Sequence, residues 1–376
     1  MKASEGTGRR QGKELPEARQ NNFNIIHIVG ALFVIYGHMI FIVGAQPKSV
    51  LGTAPAAMGL KLIFLVSGYL ITQSFIKDSS VIRYAIRRTF RIMPGLIVLI
   101  LLTTFVVGPL FTTLSTGEYF SHSHTYTYLS NMALKISYTL PGVFTDLPYP
   151  NAVNGSLWSL PPEVACYILL PVVLLLFKKL FKNYKAGIIV LAGTSVVLSV
   201  VRMLFFSGSS FVLYGSDWLQ AVDVAPYFFI GALYTLPSLK KLLNLQLASG
   251  LLFIAIFMNF SAVYTELINY VVLSYFVFSL ALAPTPKFAR VLTKNDYGYG
   301  MYLYGFVVQQ MVVSVTRPLN LPFNVTFLIS VVITFICAKC SWHFVEKPMQ
   351  RLGKKLLEVK WIKSRKGKGM LEQSAV

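Results

Sequence analysis

Six ionisable side chains of this sequence stand within or against long apolar runs: His27, His38, Lys61, Arg88, Arg91 and Glu163. An ionisable group in such surroundings is costly to keep, so each is a candidate for chemistry. His27 and His38 lie eleven residues apart in FNIIHIVGALFVIYGHMIFI. At about 100° per residue they fall within about 20° of one helix face, about 16 Å apart along its axis. A neutral imidazole can take a proton near neutral pH or attack as a nucleophile, although two histidines can also share a face through helix packing alone. Arg88 and Arg91 share a helix face. Their guanidiniums can fork onto phosphate oxygens, or can simply anchor a helix end. Glu163 is the only acid in its run and follows Trp158-Ser159-Leu160-Pro161-Pro162. It could orient an imidazole, or only favour a helix N-terminus. Lys61 precedes Ser67-Gly68-Tyr69, where small residues permit close helix approach; its ammonium could also snorkel outward.

The elements that must position these groups follow from composition. The chain has 376 residues, of which 55% are hydrophobic and only 13% charged, against roughly 25% charged in soluble domains. Mean hydropathy is +0.62. These values exclude a soluble globular enzyme, a disordered chain and a fibrous protein. They predict an all-α, polytopic membrane helix bundle. Ten candidate spans are read at 23–44, 57–76, 92–112, 157–177, 186–206, 218–237, 247–265, 267–284, 297–316 and 323–346. The seventh and eighth are separated only by Glu266, which predicts a tight hairpin there. No cleavable signal peptide is evident.

Basic residues test this count. With the N-terminal tail in the cytoplasm, every second connection should be basic. On that reading 28 of the 34 Lys and Arg residues fall on the cytoplasmic side, and both termini are cytoplasmic. The chain then divides into a basic tail 1–22, a transmembrane domain 23–346 and a basic tail 347–376. Within the last tail, LGKKLLEVKWIKSRKGKG reads as an amphipathic membrane-surface segment. The formal net charge of +20 therefore reflects topology and contact with anionic membrane lipids rather than nucleic acid.

The long outer segment 113–156 is rich in aromatic residues and is expected to hold an interfacial or re-entrant helix near 127–140. Its aromatics could stack on sugar rings or sit at headgroup depth. His122 and His124 are too few to make a metal site. Asn154-Gly-Ser156 and Asn324-Val-Thr326 match the glycosylation pattern, which is common by chance. Asp223 is expected in a polar cavity or paired with Arg202. Cys337-x-x-Cys340 reads as two small apolar side chains on a helix, and three cysteines suggest no disulfide framework.

The residues also resemble the integral-membrane acyltransferase-3 family, from about residue 22 to 348. NNFNIIHIVGALFVIYGH is similar to the family's opening helix, with its histidine at His38. LIFLVSGYLI resembles its Phe-x-x-Ser-Gly-Tyr-Leu segment. RRTFRIMP resembles its Arg-x-x-Arg element, at Arg88 and Arg91. LWSLPPEVACYILLP resembles the element that carries Trp158, Ser159, Glu163 and Tyr167. DYGYGMYLYGFVVQQ and SWHFVEKP are similar to its C-terminal signatures. One departure stands out: the family's usual arginine, eleven positions before the histidine, is His27 here.

The resemblance implies acetyl-CoA as acyl donor, no metal, and an acceptor hydroxyl on a cell-surface or lipid-linked glycan. It implies His38 and Glu163 as catalytic residues, with Glu163 orienting His38. Arg88, Arg91, His27 and Lys61 would hold the donor, with Lys61 one candidate to replace the missing arginine. Ser67, Tyr69, Trp158, Ser159 and Tyr167 would line the substrate channel. His38 would act as general base or as an acyl carrier. The extracytoplasmic hydrolase-like domain fused to some members is not expected after Val345. A transporter or flippase of a glycan or lipid precursor is the alternative reading, for which internal repeats would be expected; an inactive scaffold related to the enzymes is a third.

Overall fold

A computed structural model describes residues 21–46, 49–258 and 260–358. Lys48, the basic tail before residue 21 and the surface segment beyond residue 358 lie outside the described residues. Ten principal helices account for the bundle. They are α1 Phe23–Ile42, α2 Pro55–Lys77, α3 Val81–Leu102, α4 Leu160–Phe181 and α5 Tyr184–Phe205. They continue as α6 Trp218–Leu233, α7 Leu245–Phe257, α8 Ala262–Ala281, α9 Gly298–Thr316 and α10 Phe323–Ser341. One two-stranded hairpin, Val212–Leu213 with Ser216–Asp217, precedes α6.

Local chemistry sets many of the helix starts. Proline opens α2, where its missing N–H costs nothing. Ser80, Asn183, Asp217 and Asn244 cap α3, α5, α6 and α7 by accepting backbone N–H groups. Seven helical segments are long and apolar enough to cross a membrane. Helices α6 and α7 are apolar but only 16 and 13 residues long, short of the roughly 20 a span needs. Helix α9 has 19 residues and is largely enclosed by its neighbours.

The structure corrects two expectations. The chain leaves helix after Phe257 and re-enters it at Ala262, so Glu266 lies inside α8 rather than at a turn. Its charge is compensated within the bundle by Lys61 at 2.6 Å and by the Tyr227 hydroxyl at 2.8 Å, so no turn is needed to expose it. In the outer segment, the helical turns run from Thr116 to Ala133, so they begin ahead of the expected 127–140 window and cover only its first half. They start early because Ser115 and Glu118 form a reciprocal capping box.

Small residues draw the central helices together. A Cβ at Gly37 would overlap Ala56 across the α1–α2 contact, and one at Gly68 would collide with the Phe228 carbonyl of α6. The close approach expected around Ser67-Gly68-Tyr69 is present. Large fully buried side chains such as Phe64, Leu65, Ile35 and Phe228 fill the centre. Helices α4, α5 and α10 turn Ile168, Val197 and Leu328 outward, as lipid-facing surfaces require.

The bundle has two chemically distinct ends. Arg83 and Arg87 meet on Asp78, Ser79 meets Tyr184, and Lys240 lies over Tyr69. The connections rich in Lys and Arg therefore gather at one basic end. The opposite end joins Thr53 and Leu51 to Asn269, and Tyr138 to the Gly215 carbonyl.

Candidate active site

Two cavities lie along the α1 face that carries both histidines. The arginine cavity, about 90 Å³, is lined by His27, Ser67, Arg88, Arg91, Glu163 and Tyr302. The histidine cavity, about 350 Å³, is lined by His38, Trp158, Gln220 and Asp223. Leu60 and Tyr302 line both. The expected single face of α1 thus serves two chambers with a common wall.

The arginine cavity is fixed by compensated charge. Arg91 pairs with Asp296 at 2.5 Å and Glu346 at 3.3 Å. The rings of Tyr299 and Trp342 cover it, at 5.2 and 6.0 Å, which adds cation–π attraction. His27 Nδ1 lies 3.6 Å from Asp296. Ser341 donates to Glu346 at 2.9 Å and Trp342 to Asn295 at 2.9 Å. Arg88, one helical turn away, differs: it makes no ion pair among the described residues, and its Nε is buried with no partner.

At the other chamber, His38 Nδ1 lies 3.5 Å from Ser156 Oγ, and the imidazole stands edge-on to Phe306 at 5.1 Å. Among the described residues its Nε2 makes no hydrogen bond. Asn154-Gly155-Ser156 backs the imidazole. Asn154 donates to the Leu303 carbonyl at 2.9 Å and accepts from the Ser156 N–H at 3.1 Å. Gly155 is required because a Cβ there would come within 2.7 Å of the Phe306 ring. Asn154 is fully buried, so this match to the glycosylation pattern has no accessible amide. Tyr302 donates to the Ser156 carbonyl and bonds Ser159 Oγ, each at 2.5 Å, which locks the shared wall.

Several expected site residues are separated. Glu163 accepts from the hydroxyls of Tyr167 and of Ser67, the latter at 3.3 Å, and lines the arginine cavity rather than that of His38. The expected Glu163–His38 pair is therefore corrected: the partner offered to His38 is Ser156. Lys61 is also corrected. Its ammonium is held by Glu266 and by Thr53 at 2.9 Å, at the end of the bundle opposite the arginines. Tyr69 lines neither cavity; it packs on Phe23 and Phe278 at 4.9 and 5.5 Å, and Lys240 covers its ring at 5.0 Å. Ser159 and Tyr167 do line the arginine cavity, and Trp158 the histidine cavity. Asp223 pairs with Arg202 at 2.8 Å, as expected.

Asp296, Tyr302, Glu346 and Ser156 were not singled out by spacing. The first three belong to the segments DYGYGMYLYGFVVQQ and SWHFVEKP, and Ser156 to the glycosylation match. Those segments were visible in the sequence, but not the roles of these residues.

Comparison with known proteins gives the chain's relatives. A family described as an acyltransferase domain matches residues 20–342. The O-acetyl transferase of Shigella phage Sf6 is 31% identical over 335 residues, covering 88% of this chain and 96% of the phage protein. Nodulation protein 10 of Rhizobium leguminosarum bv. viciae is 25% identical over 369 residues, covering 90% and 95%. No solved structure is significantly similar to the chain. A match of this extent, on a bundle of long apolar helices, makes the chain a member of the acyltransferase-3 family and a multi-pass membrane acyltransferase of the O-acetyltransferase type.

Proposed function

We propose that the protein moves an acetyl group from cytoplasmic acetyl-CoA to a hydroxyl of a cell-surface or lipid-linked glycan on the other side of the membrane. The observation that carries this reading is the pair of cavities sharing Leu60 and Tyr302, with an unpaired arginine in one and His38 in the other. In this topology the basic end is cytoplasmic and the termini lie there too. Ten crossings follow if α6, α7 and α9 count as spans beside the seven longer segments.

Arg88 is the cation available to donor phosphates, since Arg91 is already neutralised by two carboxylates. Arg91 and His27 then shape the mouth rather than carry the binding charge. The pantetheine arm enters the arginine cavity while the nucleotide stays at the basic end. Ser67, Ser159 and Tyr167 line the arm's path. Glu163, held by Ser67 and Tyr167, is a positioning residue for that path. At the shared wall the thioester carbonyl meets the acceptor.

His38 is the general base in this scheme. The acceptor O–H gives its proton to Nε2 as its oxygen attacks the carbonyl. The C–S bond breaks, sulfur leaves as thiolate, and the imidazolium returns the proton to sulfur. The test is transfer from labelled acetyl-CoA to surface polysaccharide by the protein in proteoliposomes. The expected outcome is transfer by the wild type and none by His38→Ala at equal protein level. A fully active His38→Ala would end the reading. Label trapped on protein without acceptor would replace the general base by an acyl-histidine.

A further inference from the structure

Asp223 has no task in the donor path, yet its side chain faces the chamber of His38. It lies on α6, whose start is fixed by Asp217 accepting from the N–H groups of Leu219 and Gln220. Gln220 and Asp223, three residues apart, present one face of that helix to the cavity. Trp158 and Phe41 add aromatic rings to its walls. The carboxylate is used unevenly. Its Oδ2 pairs with Arg202 at 2.8 Å, while Oδ1 is shielded from solvent and accepts no hydrogen bond. The side chain is nevertheless 32% exposed, and a carboxylate oxygen held by one donor can accept from a second, here from a ligand bearing O–H groups.

The chamber therefore offers a carboxylate with spare acceptor capacity, one amide that both donates and accepts, and apolar rings. A pyranose presents the matching chemistry: hydroxyls around its rim and C–H groups on its faces. Arg202 already balances the charge of Asp223, so a cationic ligand gains little there, and an acidic sugar would meet like charge. Resting on the acyltransfer reading above, the geometry points to Asp223, with Gln220, as the grip on a neutral pyranose of the acceptor. By holding one hydroxyl, this grip fixes which neighbouring hydroxyl faces His38.

The test uses the full-length protein in proteoliposomes, labelled acetyl-CoA, and surface polysaccharide from a host strain deleted for the gene. Asp223→Asn and Gln220→Ala should each raise the acceptor KM, about tenfold or more for Asp223→Asn, the loss of one charge-assisted hydrogen bond. Affinity for acetyl-CoA should be unchanged, and the acetylated position, read by NMR, should become mixed. Exchanging the pair, Arg202→Asp with Asp223→Arg, separates grip from ion pair. The exchange should restore thermal stability but not the acceptor KM. Restoration of that KM by the exchange, or an unaltered KM and position in both single variants, overturns the inference while leaving the transferase reading intact. Absence of wild-type transfer removes both. Methyl glucuronide competing as well as methyl glucoside would overturn the choice of a neutral sugar.

Discussion

The two chambers differ in how their charges are balanced. Around Arg91 two carboxylates and two aromatic rings close on one guanidinium. Around His38 there is one long contact to Ser156 and an imidazole edge left open. Charges that are paired inside a membrane hold helices in register; groups left unpaired are available to a ligand or a proton. The same contrast separates two residues on one helix face, since Arg91 is saturated while Arg88 has no counter-charge among the described residues. Within this bundle, partner count rather than residue type separates scaffold from site.

The sharpest way to break this comparison is at His38. Its replacement by alanine should cost about 10²–10⁴-fold or more in transfer rate, the usual worth of a positioned acid–base group, with thermal stability nearly unchanged. A stability loss as large as that of the Arg91 cluster would place His38 among the scaffold residues.

The next effect is structural. Asp296→Ala leaves Arg91 with Glu346 alone and His27 without its acid. Removing one partner from a buried pair typically costs about 3–5 kcal/mol. The expected outcome is a markedly lower unfolding temperature in detergent and a reduced level in the membrane. Retained stability with weakened donor binding would show instead that Asp296 serves the ligand. Arg91→Met combined with Asp296→Asn and Glu346→Gln should be milder than Asp296→Ala alone, because no buried charge is then left unmatched.

Much of this contrast was legible beforehand, and the part that was not has a physical cause. The inward face of α1 follows from helical periodicity, and the basic end from the distribution of Lys and Arg. Arg88 and Arg91 stand out because residues three apart on a helix share a face. Their counter-charges do not, because Asp296 and Glu346 lie 205 and 255 positions from Arg91, beyond any rule of local spacing. The resemblance implies Glu163 beside His38, whereas its rotation on α4 turns it to Ser67 and Tyr167. Glu266 reads as a turn in sequence because its partner, Lys61, sits on a helix distant along the chain.

Arg88 gives a smaller, sharper test. If it meets donor phosphate, Arg88→Gln loses a charge-assisted interaction worth about 1.5–3 kcal/mol. The acetyl-CoA KM should then rise about tenfold to a hundredfold, while the unfolding temperature stays near that of the wild type. Equal losses of stability in Arg88→Gln and Asp296→Ala would erase the distinction between the two arginines.

The smallest effect belongs to the basic end itself. Asp78 accepts hydrogen bonds from Arg83 and Arg87, and the Arg83 guanidinium foremost holds its carboxyl well below the usual carboxylate range. A depressed folded-state pKa stabilises the protein in full above the unfolded-state pKa of about 4 and loses that contribution as pH falls toward the folded value. The partner Arg83 is 40% exposed, so solvent screens the pair and its worth is slight. Asp78→Asn should therefore lower the unfolding temperature a little and evenly between pH 7 and pH 5, and the gap should close below about pH 4. Donor and acceptor KM should not move, because the turn that carries Asp78 lines neither chamber. A gap that widens on acidification would mean that the carboxyl is stabilised in its protonated form, the opposite of a surface clasp between two arginines.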